Sequence, residues 1–463
     1  MVNKDLRSFI EALRDQHPEE LIEVERPVSP CFEIPAILRK LQQQGKFPAV
    51  FFRNTVGTKM PVISNVFASR KRLAIALETS EESLLSKYME LEDKPIPPKT
   101  VGSGPVKEVI IKGDEVDLTK LPIVTHCEKD AGPYITAGVM ILKDPDTGVY
   151  DTGIFRLQLK GKDKLGVCFG EYSRAMHIIR KNEAKNIPTE VAIFIGHHPA
   201  CILASQTKVP LGTDELSILG GLLGEPLEIV KCETVDIEVP AYAEIVIEGI
   251  IPPNVREPEA PFGEYTWYYG PSRNSHILKV KAMTHRESPI YLDVFSAHPD
   301  HNMVALLARE SVVFKRVKMV VPTLKEVCLP MSGMCRHTAY ISIKKEFDGQ
   351  GKIAALAALA SDPFLKMVVV VEDDIDVHNE MEVWWAVTTR TQPDRAIFMV
   401  PDAYVCELDP SAYSIRSRAE KDSLNTKWAI DATKPIGLPF EERADVPKEL
   451  LNKIRIEEYL PRA

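Results

Sequence analysis

The chain has 463 residues, 44% of them apolar, and a net charge of −9. That is enough chain for about three domains, or two large ones, and too apolar a composition for disorder. The acidic balance excludes nucleic acid as the main partner, and no apolar run approaches the roughly 18 residues that a membrane span needs.

The opening M-V-N-K-D-L-R is charged and lacks a signal core. Eight cysteines are scattered without a C-x-x-C pair, which suits reduced thiols. A cytoplasmic protein is therefore expected. Leu6, Ile10 and Leu13 predict an amphipathic helix over 4–15, and Pro35 starts a second over 35–44. Short strands are predicted at 49–52 and 61–63, then a helix over 69–77. The Pro- and Gly-rich stretch K-P-I-P-P-K-T-V-G-S-G-P, residues 94–105, reads as a linker. It closes an N-terminal α/β region, 1–105.

From 106 to 302 strands dominate. They are predicted at 109–111, 135–141, 153–159, 192–196, 200–204, 226–231, 243–249, 277–282 and 289–294, with a hairpin turn at D-P-D-T-G and helices at 174–184 and 214–223. Many strands with few helices predict a barrel or sandwich that carries the site. From 303 to 463 the texture is α/β: a helix over 303–318, strands at 338–344, 366–371 and 396–400, a helix at 352–361, and an amphipathic tail helix, 447–459, suited to docking on a partner subunit.

The central motif is E-A-P-F-G-E, Glu259 to Glu264, two acids on a loop stiffened by Pro261 and turned by Gly263. Such a loop can hold a general acid or base; a solvated surface turn is the plainer reading. In D-T-G-I-F-R, Asp151 and Arg156 are five apart and point to opposite faces of a strand unless Gly153 makes a bulge. In L-G-T-D-E-L, Asp214 and Glu215 suit a helix N-terminus or a hard cation. E-D-D-I-D, 372–376, also offers oxygens to a metal. F-D-G-Q-G-K-I, 347–353, lacks the spacing of a phosphate loop. His298 and His301, with Asn302, stand on a loop that could line a pocket.

D-T-G-I-F-R, A-C-I-L-A-S, V-P-L-G-T-D-E, E-A-P-F-G-E-Y-T and A-I-D-A-T-K, in this order, resemble the UbiD family of reversible decarboxylases over about 60–440. The resemblance implies an α+β fold: a split β-barrel cofactor domain, N-terminal α/β elements and a C-terminal α/β oligomerisation domain. It implies prenylated FMN, made by a separate flavin prenyltransferase, with manganese (or magnesium) and potassium at the phosphate. Arg156, Glu259 and Glu264 would form an acid–arginine–acid network, Glu264 moving the proton and Arg156 orienting the substrate carboxylate. Ile154, Phe155, Arg156, Phe169, Arg174 and Lys434 would hold the cofactor. Glu215, with Asp151 in place of the usual Asn, would bind the divalent ion. One branch of the family has a His ligand where this chain has Arg174, and His177 lies a helical turn away, so either could take the third position. Ala204, Ser205 and Thr207 would bind potassium.

The implied activity is reversible, non-oxidative decarboxylation of an aromatic, heteroaromatic or α,β-unsaturated acid with release of CO2. The substrate expected is a small furan- or pyrrole-type acid, on a pocket lined by His298, His301 and Asn302. The alternatives are a polyprenyl-hydroxybenzoate or other phenolic acid, or a non-catalytic flavin-binding assembly subunit. A homodimer or hexamer is expected.

Overall fold

A computed structural model describes residues 3–171, 173–414 and 424–459. The first helix, Leu6–Gln16, is fastened at its start by Asp5, whose carboxylate accepts from the Ser8 amide, and it buries Leu6, Phe9, Ile10 and Leu13. Leu21–Val24, Ala49–Phe52 and Val62–Ser64 form a sheet whose fourth strand is Tyr291–Leu292. The strand expected at 289–294 thus completes the N-terminal sheet rather than the middle one. The 94–105 stretch is no free linker either. Lys99–Thr100 pairs with Glu228–Lys231, and the Ile96 amide donates to the Ser217 carbonyl at 2.9 Å. This close approach needs a glycine: a methyl on Gly220 would meet the Ile96 carbonyl oxygen at 2.5 Å.

The middle region is one ten-stranded sheet. Its order is Tyr134–Ile135, Leu157–Leu159, Lys164–Val167, Arg273–His285, Ile245–Ile251, Thr189–Ile195, Val139–Lys143 and Tyr150–Ile154; Arg256–Glu259 and Val109–Lys112 also pair with the long strand Arg273–His285. The connectivity dictates its curl. Tyr150–Ile154 is one edge and Leu157–Leu159 lies next to the other, yet only Phe155 and Arg156 separate them in sequence. Three residue steps span at most about 11 Å, so the sheet bends until its two ends meet at Arg156. They do not pair with each other, so the barrel is split rather than closed.

The C-terminal region carries a five-stranded sheet, ordered Leu324–Cys328, Thr338–Ile343, Met367–Glu372, Leu424–Asp431 and Ile397–Tyr404, covered by helices that include Leu306–Val320 and Gln350–Ser361. The architecture is the expected α+β arrangement.

Several local expectations change. The run 200–204 is helical, Pro199–Ala204, with Pro199 at its first turn and all six residues buried. A short, wholly apolar run has no periodicity to separate buried helix from buried strand. The strands expected at 135–141 and 153–159 are each broken in two. The tail holds only Lys448–Lys453 and a single 3-10 turn, Ile456–Glu458, not one helix over 447–459.

Candidate active site

Arg156 sits at the split of the sheet, and two acids from the chain a hundred residues on close around it. Glu259 ends the strand Arg256–Glu259, and Glu264 follows Phe262–Gly263, which pairs with Tyr269–Gly270. The Arg156 Nε donates to Glu259 Oε1 at 2.9 Å and Nη2 to Oε2 at 2.7 Å, a two-pronged bond, while Nη1 donates to Glu264 Oε1. The Glu259 side chain is 0% exposed and that of Arg156 10%. Phe262 lies beneath the guanidinium, 5.5 Å from ring centre to Cζ, and packs on Tyr134 at 4.6 Å. Burial pulls the Arg156 guanidinium down, but its bonds to Glu259 more than offset this and hold it above its ordinary value. Asp130 accepts from the Gly263 amide at 2.8 Å and so pins the turn between the acids. Gly270 leaves room beside it: a methyl there would stand 3.2 Å from the Glu264 side chain and press on it.

Asp151 and Arg156 do diverge as their spacing predicts, without a bulge at Gly153. The register from Tyr150 to Ile154 is regular, and the strand simply ends. Asp151 points to a second cluster. The Arg174 Nε bonds Asp151 at 2.8 Å, its Nη2 bonds Glu215 at 2.7 Å, and its Nη1 donates to the Val209 carbonyl at 3.0 Å. Glu215 also accepts from the amide and hydroxyl of Thr152, whereas Asp214 is the helix cap, accepting from the Leu216 amide at 2.9 Å. A cavity of about 270 Å³ opens here, lined in part by Asp151, Arg174, His177 and Gly212. Burial and the charge of Asp151 push the Glu215 carboxyl up against the pull of Arg174.

A flavin phosphate fits this cluster, because Arg174 presents a guanidinium at a cavity and Lys208 stands near Glu215. Lys208 is reached by solvent, and the protein packed around it, followed by the charge of Arg309, lowers its amine. Phe155 and Phe169 meet edge to face at 4.8 Å beside the split. A divalent ion does not fit the same arrangement. The carboxylates of Asp151 and Glu215 that would bind it are joined by Arg174, and His177 makes no bond to either. No group of three His, Cys, Asp or Glu side chains able to hold a metal occurs among the described residues. At the expected potassium position, Ser205 donates to the Ile202 carbonyl at 2.7 Å and Thr207 bonds the Tyr88 hydroxyl at 2.7 Å.

Other candidates are engaged elsewhere. Lys434 lies 3.0 Å from Asp374 and 3.7 Å from Glu372, sharing no partner with the Arg174 cluster. Of the E-D-D-I-D acids, Glu372 and Asp374 are thus spent on Lys434 and Arg390. F-D-G-Q-G-K-I begins a helix with Gly351 against Asp431, leaving no phosphate cradle. His298 is fully buried; it caps the helix Pro299–Val304 and stacks on Phe295 at 4.6 Å. Asn302 donates to the Tyr265 and Met334 carbonyls and accepts from Trp267, fastening the turn after Glu264. His298 and Asn302 therefore hold backbone in place, and the Nε2 of His298 has no partner among the described residues. His301 lies edge-on to Tyr265, 6.4 Å between centroids. No spacing in the sequence points to Lys208, Arg309 or Arg336, which gather nearby only through the fold.

The chain matches the UbiD family in three consecutive segments. They are described as 3-octaprenyl-4-hydroxybenzoate carboxy-lyase N-terminal domain (residues 12–92), Rift-related domain (99–299) and C-terminal domain (302–432). The chain belongs to the UbiD family. It is 36% identical over 432 residues to the anhydromevalonate phosphate decarboxylase of Methanothermobacter thermautotrophicus, covering 93% of this chain and 97% of that one. The UbiD-class enzyme HmfF from Pelotomaculum thermopropionicum in complex with FMN superposes with a TM-score of 0.91 at 42% identity, over 98% of this chain and 100% of that one. An evolved dimeric form of HmfF in complex with prenylated FMN gives 0.88 at 40% identity, over 99% and 100%. The chain is a UbiD-class carboxy-lyase, a prenylated-FMN decarboxylase. No helix among the described residues is long and apolar enough to cross a membrane.

Proposed function

We propose that the chain decarboxylates a small heteroaromatic or α,β-unsaturated carboxylic acid, reversibly and without net oxidation. The observation that carries this reading is the buried Glu259–Arg156–Glu264 clamp. Bound prenylated FMN supplies the electron sink for the carbon that loses CO2. Glu259 fixes the guanidinium by two bonds, so Arg156 offers its remaining edge to the substrate carboxylate. Glu264 holds the proton that replaces CO2 on the substrate carbon and takes it back in the reverse direction, so that carboxylate and proton balance the decarboxylated product and CO2. Phe262, Tyr134 and the curled sheet keep water from this exchange.

The flavin phosphate belongs at Arg174 and Lys208. The turn Ala204, Ser205 and Thr207 could give potassium only backbone oxygens, its hydroxyls being engaged; manganese has no role in this reading, because Arg174 occupies its ligands. A flavin prenyltransferase supplies the cofactor. The chain assembles as a homodimer or a hexamer, through a C-terminal region whose exposed residues include Met381, Trp384 and Trp385. The test is to co-express the chain with a flavin prenyltransferase and offer small aromatic, heteroaromatic and acrylic acids while measuring CO2. Release from at least one small heteroaromatic or unsaturated acid is expected; release from long prenylated phenolic acids alone contradicts the reading.

A further inference from the structure

The turn that carries Glu264 is held in a backbone conformation that its neighbours resist. Four of the eleven non-glycine residues with positive φ among the described residues gather around it: Trp267 (φ 63°), Ala297 (φ 49°), Met334 (φ 56°) and Cys335 (φ 53°). A side chain with a β-carbon is strained there, a bulky indole most of all. Such strain persists only where the surroundings over-determine the chain.

Asn302 supplies much of that constraint. It is fully buried, and its carboxamide is used at both ends. Nδ2 donates to the Tyr265 carbonyl at 2.9 Å and to the Met334 carbonyl at 3.1 Å, while Oδ1 accepts from the Trp267 indole at 3.2 Å. A carboxylate of the same shape has no donor for the two carbonyls. Arg39, on the helix Glu33–Gln43, holds the other side. Its Nη2 donates to the Ala297 carbonyl at 2.9 Å, and its guanidinium lies 5.7 Å from the Trp267 ring centre and 5.0 Å from that of Phe295.

Glu264 is fastened to this array by its own backbone. Its carbonyl accepts from the Trp267 amide at 2.9 Å, and its amide donates to the Tyr268 carbonyl at 2.9 Å. Asp130 pins only the upstream side, at Gly263. A shift of Trp267 therefore carries the Glu264 carboxyl with it, and proton transfer is steeply sensitive to such a displacement.

We propose that Asn302 and Trp267 are positioning residues for proton transfer: they hold the turn that sets the Glu264 carboxyl at the substrate carbon. This rests on the reading of Glu264 as the proton carrier.

The experiment uses the flavin-loaded chain and the acid that releases CO2 fastest in the panel above. It measures kcat, KM and hydrogen–deuterium exchange at the product carbon for wild type, N302D, W267F, E264Q and E264Q/N302D. N302D is expected to lower kcat and exchange about tenfold or more, with KM and flavin absorption within about twofold of wild type. W267F, which lacks the indole N–H, should lower both about threefold or more. Because both residues act through one carboxyl, E264Q/N302D should exchange no more slowly than E264Q. A further loss of about tenfold in the double variant overturns the proposal, as does a rise in KM that matches the fall in kcat. Should N302D fail to fold, W267F decides, since residue 267 is 42% exposed; wild-type exchange there overturns the proposal. Exchange lost in E264Q but unchanged in N302D and W267F overturns the positioning role alone. Exchange unchanged in E264Q overturns the reading of Glu264 and this proposal with it.

Discussion

At the scale of the residue, two arginines divide the work of the site. Arg156 is aimed by Glu259 and shared with Glu264, whereas Arg174 ties Asp151 to Glu215 at the phosphate end. Because Arg174 stands where the divalent ion would bind, dialysis against a chelator should leave FMN affinity within about twofold. Arg174→Ala should weaken FMN binding about tenfold or more, the scale of a lost charge-assisted bond of roughly 1.5–3 kcal/mol. Fluorescence titration of FMN reads both, and a chelator effect as large as the mutation would contradict this assignment. The acids at 259 and 264 were legible as a pair from their loop, and Arg156 joined them only through the ordered family motifs. Spacing alone placed Asp151 and Arg156 on opposite faces; in the structure the strand ends at Ile154, and the two side chains join separate clusters. The capping role of His298 was not legible, because a histidine after a strand is as good a helix cap as a ligand; its Nδ1 accepts from the Asp300 amide at 3.2 Å.

At the scale of the element, the decisive feature is the two-residue gap between Tyr150–Ile154 and Leu157–Leu159. Alternating apolar residues run across it, so a single strand is the natural reading of the sequence. Only the pairing of each half with a different edge shows why Arg156 is free of the ladder. The stretch 94–105 shows the same limit: Pro and Gly read as a linker, but its carbonyls pack on the helix Glu215–Leu223. Gly220→Ala should therefore destabilise the chain by about 1–3 kcal/mol, the usual cost of overpacking against backbone, with the melting temperature as readout. An unchanged melting temperature would mean that this contact yields without strain. Since the helix starts at Glu215, flavin affinity should fall in the same variant.

At the scale of the whole molecule, buried histidines couple stability to pH. Burial lowers His197, His276 and His337 to about 4 and His198, His298 and His301 to about 3. Unfolded histidine titrates near 6.5, so on unfolding below that value these groups take up protons. Their stabilising contribution is complete above about pH 6.5 and is lost as pH falls toward 4, each site by up to about 1.4 kcal/mol per unit. Asp300, pushed up to about 7 by burial, works in the opposite sense but is outnumbered. Urea melts at pH 7.5, 6.5 and 5.5 should show the midpoint falling between the last two; a flat profile would contradict the neutral, buried state of these rings. The three-part layout was readable from composition and ordered motifs. The sharing of Tyr291–Leu292 with the N-terminal sheet was not, since two residues carry no periodic signal.

The most direct measurement is solvent hydrogen–deuterium exchange at the product carbon, made on flavin-loaded wild type and Glu264→Gln. The amide keeps the shape of the clamp but cannot carry the proton. The variant should retain its flavin absorption and lose exchange by a hundredfold or more, on the scale of about 10²–10⁴ for a general acid–base group. Exchange within twofold of wild type, with the flavin still bound, would show that Glu264 does not move the proton.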